Sequence, residues 1–182
     1  TIGANATIPR NAVFYRAGSF TDPDGGPWTA QVDYGTGAGF QSLAVVAKQF
    51  VVRRAYTTNG TYTVRVRVCD STSRCTTSQL TLTVQTSVTA VPVQPLAVCA
   101  NVVLGQRLGL WGYTNPNSWI VDIPVGARNR FVPGNSNVLQ ATSFLPGTWP
   151  GAASTVQGSA TSLTWQLDGQ AAVMNASTPR CV

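Results

Sequence analysis

From Thr61 to Val68 the chain alternates strictly between apolar and polar positions. Tyr62, Val64, Val66 and Val68 share one face, and Thr61, Thr63, Arg65 and Arg67 share the other. A period of two places successive side chains on opposite sides of a half-buried strand. Gln79 to Gln85 repeats the pattern with Leu80, Leu82 and Val84 inward, so the two segments read as a hairpin connected through Asp70 to Ser78. Further strands are expected at 12–17, 28–34, 42–47 and 49–54. They are separated by the turn-rich runs Asp22-Pro-Asp-Gly-Gly-Pro27 and Gly35-Thr-Gly-Ala-Gly39.

After residue 86 the pattern changes. Ser87 to Pro95 carries two prolines and no charge, which suggests a short extended linker. Four of the five tryptophans and eight of the eleven prolines follow residue 87, so the second half has a composition of its own. Strands are expected there at 98–104, 107–114, 118–124, 154–158, 162–168 and 171–176. Trp165 alternates with Leu163 and Leu167, Trp119 with Val121 and Ile123, and Trp111 shares a face with Tyr113; all four aromatic positions read as core. No segment combines a 3.6-residue period with helix caps. The fold class is therefore all-β, with two consecutive β-sandwich domains over 1–87 and 96–182 joined by a linker at 88–95.

The 182 residues carry a net charge of +6 and no histidine. That absence removes most general-base, triad and zinc-enzyme chemistry, and enzymatic activity is not expected. Lys48, the single lysine, sits in a strand context with no motif around it. The eleven arginines are scattered without a recognition-helix or aromatic-basic pattern, so nucleic acid is not the expected partner. An extracellular protein or an anionic glycan suits the charge better. No apolar run reaches the ~18–20 residues of a membrane-spanning helix.

Cys69, Cys75, Cys99 and Cys181 form an even set whose spacing fits no zinc motif. Three pairings are open. The reading favours Cys69–Cys75 and Cys99–Cys181, because each pair then lies inside one candidate domain, and disulfides imply an extracellular or cell-surface setting. The start at Thr1 without a signal segment fits a processed protein or a piece of a longer one. Asn5, Asn59 and Asn175 head glycosylation sequons, informative for a eukaryotic source.

Gly18-Ser-Phe-Thr-Asp-Pro-Asp-Gly25, Trp28-Thr-Ala-Gln-Val-Asp-Tyr-Gly35, Tyr56-Thr-Thr-Asn-Gly-Thr-Tyr-Thr-Val64 and Val68-Cys-Asp70 together resemble a polycystic-kidney-disease (PKD) repeat over about residues 1–86. The resemblance implies an immunoglobulin-like sandwich of the kind found in large extracellular proteins, where such repeats act as adhesive or mechanical spacers. Asn59-Gly-Thr-Tyr62 also resembles a tyrosine corner, in which the hydroxyl bonds back to the chain entering the strand. Val64 stands where immunoglobulin domains place an inter-sheet cysteine, so no such bridge is expected. Trp28 is expected in the sandwich core. The second half, from Cys99 through Trp111-Gly-Tyr-Thr-Asn115, Ile123-Pro-Val-Gly126 and Leu163-Thr-Trp165 to Cys181, resembles a Cys-bracketed module of secreted multidomain proteins.

Two places carry candidate ligand chemistry. Asp22 and Asp24 are the only close carboxylates and the one candidate calcium site, though Asp-Pro-Asp-Gly is equally a turn sequence; no other cofactor is expected. Trp149 lies in Pro146-Gly-Thr-Trp-Pro-Gly151, a loop context where an exposed indole can stack on a sugar, with Arg128 and Arg130 as a basic rim. The expected function is a non-catalytic extracellular structural or adhesion module. The alternatives are a carbohydrate-binding accessory module and a self-assembling subunit of an extracellular filament.

Overall fold

The structure, a computed structural model, describes residues 1–23, 25–134, 138–157 and 161–182; Asp24 lies outside the described residues. Strands and turns make up the described residues, with no helix. The chain divides into two compact units, Thr1–Thr89 and Ala90–Val182.

The first unit contains β1 (Ala6–Pro9), β2 (Val13–Ser19), β3 (Thr29–Asp33), β4 (Gln41–Leu43), β5 (Gln49–Ala55), β6 (Gly60–Cys69) and β7 (Cys75–Gln85). One sheet has the order β1-β7-β6-β3-β4, and the other pairs β2 with β5. The hairpin read from alternation forms in register from Gly60 opposite Val84 to Cys69 opposite Cys75. Val64, Val66, Leu80, Leu82, Val84 and Val32 from one sheet, with Phe14, Phe50 and Val52 from the other, are buried. Each contributes roughly 1.5–3 kcal/mol of apolar burial. Tyr62 closes the corner as expected, its hydroxyl donating to Thr58 O at 2.8 Å. Val64 is buried, and the only two disulfides lie elsewhere.

β1 has too few residues, one of them proline, to stand out as a pattern. It exists because it pairs in parallel with β7, from Ala6 opposite Leu82 to Pro9 opposite Gln85. As an edge strand it tolerates the proline, whose missing N–H breaks no ladder bond there. Just before it, Thr1 exchanges backbone bonds with Ser19 at the end of β2. The chain then crosses between sheets at Gly3, whose φ of +76° suits a residue without Cβ.

Two expectations need correction in this unit. The segment 42–47 is a strand only over Gln41–Leu43. Ala47 and Lys48 instead make a two-residue turn, with φ of +49° and +61°, between the bridged Val46 and Gln49. Positive φ at both positions matches the strand twist that such a hairpin requires, so Lys48 is a turn residue. Trp28 is half-buried at the surface, outside the buried core. It precedes β3, and its indole N–H finds a carboxylate partner in the neighbouring loop.

The second unit contains β8 (Gln94–Val103), β9 (Gln106–Asn115), β10 (Val121–Asp122), β11 (Asn129–Val132), β12 (Ser143–Phe144), β13 (Gly147–Gln157), β14 (Leu163–Leu167) and β15 (Gln170–Met174). Its sheets are β13-β9-β8, β11-β14-β15 and the short pair β10-β12. The core is aromatic: Phe131 stacks on Trp165 with centroids 5.3 Å apart, and Trp111 meets Phe131 edge-on at 5.1 Å. Trp111, Trp119, Tyr113 and Trp165 are all buried, as the alternation requires.

Buried amides tie this core together. Asn129 donates to the carbonyls of Ile123 (2.9 Å) and Ala141 (2.8 Å), and its Oδ1 accepts from Trp165 Nε1 at 2.9 Å. Asn117 accepts from Val91 N–H and donates to Val91 O, mimicking a strand partner. That contact corrects the linker expected at 88–95. Val93 is fully buried in the second core, and Gln94 and Pro95 already belong to β8. The apolar Val93 gains more from burial than from staying in an extended tether.

Candidate functional site

Both disulfides favoured from sequence are present, Cys69–Cys75 and Cys99–Cys181, and no free cysteine remains. The first staples two residues directly opposite each other in the β6–β7 ladder. Within its loop, Asp70 Oδ1 accepts from Arg74 N (2.9 Å), Thr72 N (2.8 Å) and Thr72 Oγ1 (2.9 Å). These bonds, the one from Arg74 N foremost, hold the exposed Asp70 carboxyl below the ordinary carboxylate range. Such a loop is ordered by its own side chain.

Asp22 is not an open ligand. Its Oδ2 accepts from Trp28 Nε1 at 3.0 Å, and its carbonyl accepts from Lys48 Nζ at 2.6 Å. The same ammonium lies 4.8 Å from the centroid of the Trp28 ring, which meets Phe20 edge-on at 5.7 Å. This cluster latches the 20–28 loop to the 47–48 turn, and a cation on Asp22 would have to compete with Lys48 for the same loop. Among the described residues, no three His, Cys, Asp or Glu side chains gather as metal ligands.

The outward arginines of β6 are held in place. Arg67 donates to Gln31 Oε1 and lies over the Phe40 ring at 4.6 Å; Arg65 approaches Asp33 at 3.7 Å. On the other sheet, a groove of about 730 Å³ is lined by Arg16, Ala17, Val46, Phe50 and Val51 among others. Partial burial of Arg16 lowers its pKa below the usual arginine value. Burial likewise raises the Tyr56 phenol, whose hydroxyl donates to Tyr34 O at 3.0 Å.

Trp149 is 38% exposed, but it lies within β13 opposite Tyr113, where the sequence suggested a loop. The register shifts between Trp149 and Ala153, a bulge that disguises the strand by interrupting alternation. Its indole N–H donates to Pro146 O at 3.1 Å. Arg128 pairs with Asp168, and Arg130 Nε donates to Gln166 Oε1 at 2.8 Å. The structure thus engages both arginines with partners other than Trp149. Asn5 and Asn59 are exposed and Asn175 is half-buried. Each makes a local bond, Asn5 accepting from Thr81 N, Asn59 donating to Thr86 Oγ1 and Asn175 accepting from Ser177 N.

Sequence reading missed Asp168. Its Oδ2 accepts from Val93 N at 2.9 Å while Oδ1 holds Arg128, so it fastens the entry of β8 to the β14–β15 turn. The Asp-Gly pair between two strands was the available signal.

Residues 1–85 match the family model of the PKD domain, which bears out the N-terminal resemblance. No curated protein matches the chain significantly. Among solved structures, the chain is similar to fibronectin(III)-like modules of Clostridium thermocellum CbhA, at 13% identity, covering 93% of this chain and 87% of that one with a TM-score of 0.38. It is also similar to a 3Ig structure of titin domains, at 10% identity, 99% and 63% coverage and a TM-score of 0.32. A third similarity is to DIP-gamma IG1+IG2, at 13% identity, 98% and 95% coverage and a TM-score of 0.30.

Proposed function

We propose that this chain is a non-catalytic structural module of an extracellular or cell-surface protein, a spacer that keeps its length under tension. The observation that carries the reading is the parallel pairing of β1 with β7. Pulling the start of the first unit away from its end drags these two strands in opposite directions along their own axes. All the bonds between them then share the force, whereas an antiparallel hairpin pulled at one end opens one bond pair at a time. The disulfides support the same reading. Cys99–Cys181 links β8 directly to the last residues of the second unit, so tension bypasses the strands between them. The PKD match and the oxidised cysteines fit an extracellular setting. Single-molecule stretching tests the proposal. A discrete unfolding event of the first unit supports it, and gradual extension without a resolved event rejects it.

A further inference from the structure

The β8–β9 hairpin ends in an unusual turn. Val103 lies opposite Gln106, and the two residues between them, Leu104 and Gly105, have φ of +51° and +78°. Both positions of such a turn favour Asn, Asp or Gly, and a leucine with positive φ is strained. Leu104 nevertheless occupies the first and is 99% exposed. Apolar side chains surround it. Val102 is 67% exposed and Val103 49%, and the cross-strand pair Leu108 and Val156 is 40% and 64% exposed. Val103, Leu108 and Val156 share the outer face of the sheet, and Val102 lies on the opposite face beyond the core. At the turn itself Leu104 is therefore flanked by an exposed valine on each face, Val103 opposite Gln106 and Val102 opposite Arg107.

Its charge is equally one-sided. Arg107 stands three residues from Leu104, one of its N–H groups donating to Thr161 O at 3.2 Å and the rest of its guanidinium donors left for an anion, and Arg180 follows Pro179, whose carbonyl accepts from Ala100 N on β8. The two carboxylates of the second unit, Asp122 and Asp168, lie at its other end. Asp168 bonds Val93 N before β8 begins, about 30 Å of strand away. Asp122 is on β10, whose partner β12 accepts from Asn115 at the far end of β9.

The exposed tip offers on the order of a few hundred Å² of apolar surface. A second copy docked tip to tip would bring Arg107 and Arg180 towards the same arginines, like charges that oppose self-association. A convex apolar tip of this size, flanked by arginines and without carboxylates among the described residues, instead matches an interface with hydrocarbon beneath and negative charge above. We propose that the β8–β9 tip docks on an anionic lipid bilayer, with Leu104, Val103 and Val102 entering the headgroup boundary and Arg107 meeting lipid phosphates.

The test is flotation of the full chain with vesicles of phosphatidylglycerol and phosphatidylcholine, against phosphatidylcholine alone. Leu104→Asn is the informative variant, because asparagine suits the turn and the fold should be kept; its circular dichroism is compared with wild type. Val46→Asn, removing an exposed valine of the first unit, serves as the control. Wild type and Val46→Asn should float with the anionic vesicles, and Leu104→Asn should partition at least tenfold more weakly. No wild-type binding to anionic vesicles at low salt, or equal binding by Leu104→Asn, overturns the proposal. So does concentration-dependent dimerisation in light scattering that Leu104→Asn abolishes, which would make the tip a contact between copies.

Discussion

Removing the long disulfide should cost the second unit far more than removing the short one costs the first. Cys99 and Cys181 are separated by 82 positions, Cys69 and Cys75 by 6. On the chain-entropy relation, closing the long loop restrains the unfolded chain by about 4.5 kcal/mol and the short one by about 2 kcal/mol. The native state should survive either loss, since Ala100 N still bonds Pro179 O at 2.8 Å and the β6–β7 ladder still pairs Gly60 to Val68 with Val84 to Thr76. Against a typical domain stability of about 5–15 kcal/mol, the larger figure is a third or more of the total. The assay is urea unfolding of Cys99→Ser/Cys181→Ser and Cys69→Ser/Cys75→Ser, followed by tryptophan fluorescence. Trp111 and Trp165 are fully buried and report the second unit. Its variant should also unfold with a steeper denaturant dependence, because the freed chain exposes more surface. If the long-loop variant loses no more stability than the short-loop variant, the reasoning from loop length is wrong.

Other outcomes follow from single side chains. Asn129→Ala strips partners from Trp165 Nε1 and from the carbonyls of Ile123 and Ala141, and should cost about 4 kcal/mol in the same urea assay; a loss below about 1 kcal/mol contradicts the role given to the amide. In an NMR pH titration the Asp70 carboxyl should titrate below ~3.9, the usual aspartate value. Because its folded pKa is depressed, its stabilising contribution is present above the unfolded value and lost as pH falls through the folded one; a normal or raised midpoint contradicts the hydrogen-bonded loop. Arg16 puts a charge on β2, an edge strand, where charged side chains discourage edge-to-edge pairing. Arg16→Val should therefore self-associate in size-exclusion light scattering at concentrations where wild type is monomeric, and a monomeric variant removes that role.

Alternation made the long strands legible. In β6 and β7 the alternating Val64, Val66, Leu80, Leu82 and Val84 are the positions that are buried, with Tyr62 and Val68 half-buried on the same face. β1 was invisible because its stability comes from a partner more than seventy residues away, a contact no local pattern encodes. β11 escaped for another reason: Asn129 and Phe131 face inward while Arg128 and Arg130 do not, so the period is intact, but half of its inward signal is a polar amide. Trp28 was misplaced because hydrophobicity alone cannot tell a core indole from one held at the surface by Asp22 and Lys48. The candidate sites were legible as residue types and not as partnerships. Only the fold shows Asp22, Arg128 and Arg130 already engaged, and only the turn geometry exposes Leu104.

Stretching the single chain between handles at its two ends tests the spacer reading most directly. Handles on the first unit at Thr1 and Gln85 load β1 and β7 in shear, whereas handles at Gly60 and Gln85 open the β6–β7 hairpin from one end. The shear geometry should unfold at clearly higher force. Between the ends of the whole chain, a reductant should lengthen the second unit's extension by about 290 Å, the reach of the 82 residues the disulfide withholds. Equal forces in the two geometries, or an extension unchanged by reductant, would contradict the account.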